Sequence, residues 1–167
     1  MAVRDQDFVE FVETTSPSLR RTAYLISGDR HKADDIVQDA LYKLYLAWPK
    51  VRRVGNPFAY ARRMVVNVAH DGGRRPWRRE VATDAVPDRT AADFATGHAE
   101  RDEVLDVLRG LPPRQRACVV LRYYEDLSVE QTAEILGCST GTVKSQAARG
   151  LDTLRQAIDR RRTSRAL

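Results

Sequence analysis

Catalysis or metal binding in this chain would have to be built from three histidines (His31, His70 and His98), two cysteines (Cys118 and Cys138) and scattered carboxylates. The histidines fall in three separate stretches, and no His/Cys/carboxylate spacing matches a zinc site. Gly28, Gly72-Gly73 and Gly110 are isolated turn markers, not a phosphate-cradling loop. Asp34 and Asp35 are neighbours, and adjacent side chains diverge on a helix, so they make a poor metal pair. Neither enzymatic activity nor a metal or cofactor is expected. A usable pattern appears elsewhere: Ser139, Thr140, Gly141, Lys144, Ser145, Gln146 and Arg149 crowd hydrogen-bonding and cationic groups into one short stretch without a large apolar side chain among them. Their chemistry is that of binding phosphates and base edges.

The stretch needs a rigid mount, and the flanking residues supply one. Ser128 with Gln131 three positions on is a capping box, which satisfies two orphan donors at a helix start. Ala133 and Leu136 face inward on the short helix that follows. Gly137 supplies the left-handed conformation of a tight turn, and Ser139 can cap the next helix. There Val143, Ala147, Leu151, Leu154 and Ile158 fall at spacings of 4, 4, 3 and 4, a continuous apolar stripe. The polar residues occupy the opposite face of its N-terminal half, where a recognition helix enters the major groove. A helix-turn-helix that binds DNA is therefore expected. An ordinary helical hairpin with a polar outer face is the bland alternative.

Charge points to a second contact with a polyanion. The net charge of +5 is confined to two segments: residues 51–80 hold 8 basic and 2 acidic groups, and residues 139–167 hold 7 and 2. The remaining segments are each net negative. Two basic blocks far apart in the chain suggest two places touching nucleic acid. Arginine outnumbers lysine 24 to 4, which a GC-rich genome alone would produce.

The pattern is helical almost throughout, without strand-like alternation. A first helix is expected over residues 7–26, ending at Ser27-Gly28. Asp29 can cap a second that runs to Trp48 before Pro49. Asn56-Pro57 opens a third through about His70. Residues 81–98 lack a stripe and large apolar side chains and read as a flexible linker. A second helical unit begins near Ala99, breaks at Leu111-Pro112-Pro113, resumes to about Tyr124 and leads into the helix-turn-helix. The Arg160–Arg165 tail is expected to fray. The fold class is thus all-α: two small helical bundles, residues 1–80 and 99–167, joined by the linker 81–98.

The second helix, ADDIVQDALYKLYLAW, hides Ile36, Ala40, Leu41, Leu44 and Trp48 on one side. On or near the other it presents Asp34, Asp35, Gln38, Asp39 and Tyr42. An acidic face repels DNA and suits a basic protein helix. The next helix carries the basic block, with Arg62, Arg63, Asn67, His70 and Asp71 followed by Arg74 and Arg75.

These residues resemble the sigma-70 family of RNA polymerase sigma factors, in the two-domain extracytoplasmic-function (ECF) group. DDIVQDALYKLYLAW is similar to region 2.2, FAYARRMVVNVAHDGGRR to regions 2.3–2.4, and LPPRQRACVVLRYYEDLSVEQTAEILGCSTGTVKSQAARGLDTLR to region 4. The resemblance covers about residues 8–158 in the family's order. The G-T-V-K-S-Q ending is similar to that of actinobacterial members. It implies a factor that binds core polymerase and directs it to −35 and −10 promoter elements, assisting promoter opening. Asp34, Asp35, Gln38, Asp39 and Tyr42 would meet the β′ clamp helices, and region 4 the β flap. Arg62, Arg63, Asn67, His70, Asp71, Arg74 and Arg75 would hold the −10 element; Ser139, Thr140, Gly141, Lys144, Ser145, Gln146 and Arg149 would read the −35 element. His70 equally suits a plain structural role, and Trp77 suits either stacking on a base or packing behind the basic loop. An anti-sigma factor is a further partner the resemblance allows. Three departures stand out: Tyr60 where relatives often carry Trp, Gln146 where they often carry Arg, and Gly72-Gly73 in place of bulkier residues.

A monomer contacting two unlike elements is expected, in contrast to a dimeric one-component regulator on a palindrome. A polymerase-binding decoy is the third reading. The second basic block favours the sigma reading over both. No stretch approaches the roughly 20 apolar residues of a membrane helix, and MAVRDQDFVEFVE has acids where a signal peptide would be basic. A cytoplasmic protein with reduced cysteines is expected.

Overall fold

A computed structural model describes residues 3–72 and 99–167. All regular structure among them is helical, and the chain divides into two compact units, Met1–Ala82 and Thr83–Leu167.

The first unit packs three helices, α1 (Val3–Ser27), α2 (Arg30–Val51) and α3 (Pro57–Gly72), each against the other two. Gly28, at φ 72°, ends α1, and Asp29 caps α2 by accepting from the Lys32 N–H at 3.1 Å. Ile36, Val37, Ala40, Leu44, Trp48 and Val51 of α2 are buried against Leu19 and Ala23 of α1 and Ala61, Val65 and Val66 of α3. Phe8 and Phe11 set their rings against the Trp48 indole at 5.5 and 5.0 Å. Leu41, expected inside, is only half-buried, and Val37 takes the inward position in its place. Contrary to expectation, α2 does not stop at Trp48. Pro49 forfeits one hydrogen bond, but burial of Val51 and the Arg52 N–H to Trp48 carbonyl bond (2.9 Å) close a further turn.

The second unit consists of α4 (Ala99–Gly110), α5 (Pro113–Val119), a π-helical turn (Val120–Tyr124), α6 (Val129–Leu136) and α7 (Thr140–Ala166). Pro112-Pro113 separates α4 from α5, and the buried Arg116 guanidinium reaches back across the break to the Leu111 carbonyl at 3.5 Å. Burial lowers the Arg116 pKa from its ordinary value. Leu121, Val143 and Cys118 are fully enclosed.

The arginine tail does not fray. The helix runs on to Ala166, where the apolar stripe ending at Ile158 continues as Arg161 and Arg165. Both face α4: Arg161 Nη1 lies 3.5 Å from Asp106 Oδ2, and Arg165 forms an ion pair with Glu103, which is buried. Sequence periodicity placed the stripe but gave no hint of acids waiting for its continuation on a helix far earlier in the chain.

Burial in the second unit also makes a pH prediction. Desolvation, reinforced by Cys138 and opposed by Arg114, pushes the Cys118 thiol up to about 11. The unfolded thiol ionises first, near pH 8.5–9, so the unfolded state binds fewer protons above that point and stability falls. The second unit should lose on the order of 2 kcal/mol between about pH 9 and pH 11, with no contribution from this group near neutrality. Cys118→Ala should flatten that part of the pH profile in denaturant titrations. An unchanged slope would refute the assignment.

Candidate nucleic-acid and polymerase interfaces

On α2 the face opposite the core carries Asp35, Gln38 and Tyr42, all exposed, Tyr42 to 66%. Leu46, one turn beyond Tyr42, is 61% exposed on the same face and was not singled out from sequence. Its signal was its i+4 spacing from Tyr42. Asp34 is tied to Arg20 of α1 at 3.2 Å, and Asp39 is half-buried with a partner of its own. Two groups at the centre of the face, Asp35 and Gln38, are thus left open beside an apolar pair. That combination fits a protein surface bearing cations and alkyl groups better than it fits phosphate.

The α3 helix opens at Asn56, whose side chain accepts from the Ala59 N–H at 3.1 Å. Ala61, Val65, Val66 and Val68 turn inward. On the outer side the helical period aligns Tyr60, Arg63, Asn67, His70 and Asp71. Tyr60 is 40% exposed, and Arg63 and Asp71 are exposed. Asn67 and His70 are half-buried. Arg62 lies apart from this row, over the Phe58 ring at 5.8 Å. Arg74 and Arg75, with Trp77, lie outside the described residues. The row mixes an aromatic ring, an amide, an imidazole, a carboxylate and the Arg63 cation, the set needed to stack, pair and clamp one unpaired strand.

In the second unit the helix-turn-helix is built as its local signals imply. Ser128 accepts from the Gln131 N–H at 3.0 Å while the Gln131 amide oxygen accepts from the Ser128 N–H at 2.9 Å. Ala133 and Leu136 are buried, and Gly137 sits at φ 65°. Ser139 accepts from the Thr142 N–H at 3.1 Å and shares a hydroxyl contact with Thr142 at 2.9 Å. The Ser145 hydroxyl donates to the Thr142 carbonyl at 3.1 Å. These bonds commit Ser139 to capping and divide Ser145 between its own helix and anything outside. Thr140, Gly141, Lys144 and Arg149 are exposed; Gln146 is half-buried at the flank of that face.

Among the described residues no cluster of three or more His, Cys, Asp and Glu could hold a metal, and no helix is long and apolar enough to cross a membrane. The sigma-70 region 2 model matches residues 11–79 and the sigma-70 region 4 model matches residues 101–154. A curated relative, the RNA polymerase sigma-E factor of Streptomyces coelicolor, is 38% identical over 91% of this chain and 86% of its own. The chain belongs to the sigma-70 family. Within it this sigma factor is of the ECF type. ECF RNA polymerase sigma factor SigE of Mycolicibacterium smegmatis is 31% identical over 89% of this chain and 60% of its own length. Among solved structures, the sigma factor RpoE in complex with the anti-sigma factor NepR, from Bartonella quintana, is 25% identical. That likeness covers 92% of this chain and 98% of that one, with a TM-score of 0.70. As a sigma factor the protein binds core RNA polymerase and directs it to promoter DNA.

Proposed function

We propose how the work is divided along the chain. The first unit, within residues 1–80, holds core polymerase through Asp35, Gln38, Tyr42 and Leu46, with Asp34 and Asp39 at the margin, against the β′ clamp helices. It captures the −10 element through Tyr60, Arg63, Asn67, His70 and Asp71, with Arg62, Arg74 and Arg75 as phosphate clamps. The second unit, residues 99–167, reads the −35 element with Thr140, Gly141, Lys144, Ser145, Gln146 and Arg149, its helix fixed by Ser139, and docks on the β flap. Residues 81–98 link the two. The protein is a cytoplasmic monomer when free, with no catalytic centre of its own, and an anti-sigma factor is a fitting partner given the RpoE–NepR pair.

The observation that carries this reading is the co-facial row on α3. A helix-turn-helix regulator has no use for a second nucleic-acid face bearing stacking and pairing groups. Opening a duplex costs a few kcal/mol per unstacked step, and a face that binds the extruded base offsets that cost. Run-off transcription with core polymerase, with and without the protein, tests it. Product only when the protein is added supports the reading. A tight footprint from a free dimer with no run-off product would replace it by the regulator model.

The α7 face separates two kinds of contact. Replacing Lys144 by Ala should weaken holoenzyme binding to all promoters alike and lower the salt-dependence slope by about one phosphate's worth. Gln146→Arg should instead shift the selected −35 sequence, by about 1–3 kcal/mol at one position if the side chain reaches a base edge. Because Gln both donates and accepts, adenine is its natural partner. A randomised −35 selection yielding identical sequences for both proteins would move base reading to Thr140 and Ser145.

A further inference from the structure

Gly150 stands in the middle of α7, one position after Arg149, and is buried. A mid-helix glycine costs about 0.5–1 kcal/mol relative to alanine, so helix propensity does not account for it. Packing does. A Cβ at this position would lie 2.7 Å from Val119 Cγ2, 3.3 Å from the Gln115 carbonyl oxygen and 3.4 Å from Gln115 Cβ. At the first distance the branched Val119 side chain or the helix itself has to shift, and the second involves backbone. The α5 helix therefore sits as close to α7 as a backbone without a side chain permits. Val143 and Ala147, buried on the same face, continue this seat toward the turn, where α6 also packs on α7.

We propose that Gly150 is a positioning residue for −35 recognition, with Val119 as its steric counterpart. This rests on the reading of α7 as the −35-reading helix. The helix is continuous from Gly141 to Gly150, so displacement at the Gly150–Val119 contact is carried to Lys144, Ser145 and Arg149. With α6 holding the N-terminal end, added bulk at residue 150 tilts the outer face instead of lifting it evenly. Directional base contacts fail first, because a hydrogen bond works only over a few tenths of an ångström and a limited angle. Contacts of long cations with phosphates survive, because those side chains follow the shift.

The test uses holoenzyme reconstituted with the full-length protein and a randomised −35 library on a fixed −10 element. Gly150→Ala should reduce enrichment of preferred over random −35 sequences by about tenfold, the loss of one good base contact, while the salt-dependence slope of binding stays unchanged. Val119→Ala in the same chain should restore most of the enrichment by removing the offending methyl. Should Gly150→Ala fail to fold, Val119→Ile crowds the same contact from the α5 side and should flatten the selection alone. A folded Gly150→Ala or Val119→Ile protein with wild-type enrichment overturns the proposal, as does a double variant no better than Gly150→Ala. Lys144→Ala and Arg149→Ala run alongside distinguish the two levels. If neither alters binding to the library, α7 is not the reading helix; if they do and Gly150→Ala does not, only the positioning role fails.

Discussion

Reversing the charge of Asp35 and replacing Gln38 with Ala together should reduce sigma-dependent run-off transcription by a factor of about 30 to 160, the loss of 2–3 kcal/mol expected when a central interface contact turns repulsive. Both side chains are exposed on α2, opposite Ala40, Leu44 and Trp48, so the fold should not register the change. Circular dichroism and the unfolding midpoint should match the wild type while co-purification with core polymerase falls. Asp34 is the internal control. Its carboxylate is engaged by Arg20 at 3.2 Å, both side chains being about half exposed, so replacing it should trade a weak surface pair for a modest binding loss. Adding Leu46→Ala to the double variant should deepen the defect, because the exposed leucine has no role in the core. Normal co-purification of the Asp35/Gln38 variant would mean that core polymerase sits on another face of the first unit.

What could be read from the residues alone follows the range of the interactions involved. The capping box at Ser128, the Asp29 cap, the left-handed Gly137 and the inward stripe through Val143 and Ala147 are all local. Their partners lie within one or two turns, so spacing carries the information. The acidic face of α2 was legible for the same reason. Which of its carboxylates are open was not, because Asp34 is claimed by a residue on another helix. Arg62 and Arg63 look interchangeable in sequence, yet one turns over Phe58 and the other joins the Asn67 row. The π-helical turn at Val120–Tyr124 left no periodic trace, since it is closed by the Glu125 N–H to Val120 carbonyl bond and the Leu127 N–H to Leu121 carbonyl bond, both 2.9 Å. Gly150 could be taken from sequence for an unremarkable helix residue, because the atom it makes room for belongs to Val119.

The arginine tail is the largest departure, and it makes the second prediction. Glu103 presents a side chain only 7% exposed to Arg165, which is 66% exposed. A buried carboxylate is tolerable with a counter-charge and costly without one. Removing the arginine should therefore cost more than an ordinary surface pair is worth. Arg165→Ala should destabilise the docking of α4 by about 1–3 kcal/mol, below the 3–5 kcal/mol of a fully enclosed pair because water reaches the guanidinium. Glu103→Gln removes the buried charge itself, so in that background Arg165→Ala should cost no more than about 0.5 kcal/mol. Hydrogen exchange of the α4 amides in the full-length chain measures this directly, since it reports local opening without unfolding the rest. Exchange over residues 103–110 should quicken by about ten- to a hundredfold in Arg165→Ala and hardly change when the same substitution is made beside Gln at position 103. Salt should narrow the gap, because the exposed arginine is screened. The N-terminal half of α7 is seated separately by α5 and α6, so −35 selection should be the same in all four proteins. Equal acceleration in both backgrounds would show that Arg165 holds α4 by packing alone and that Glu103 is buried for a reason other than its charge.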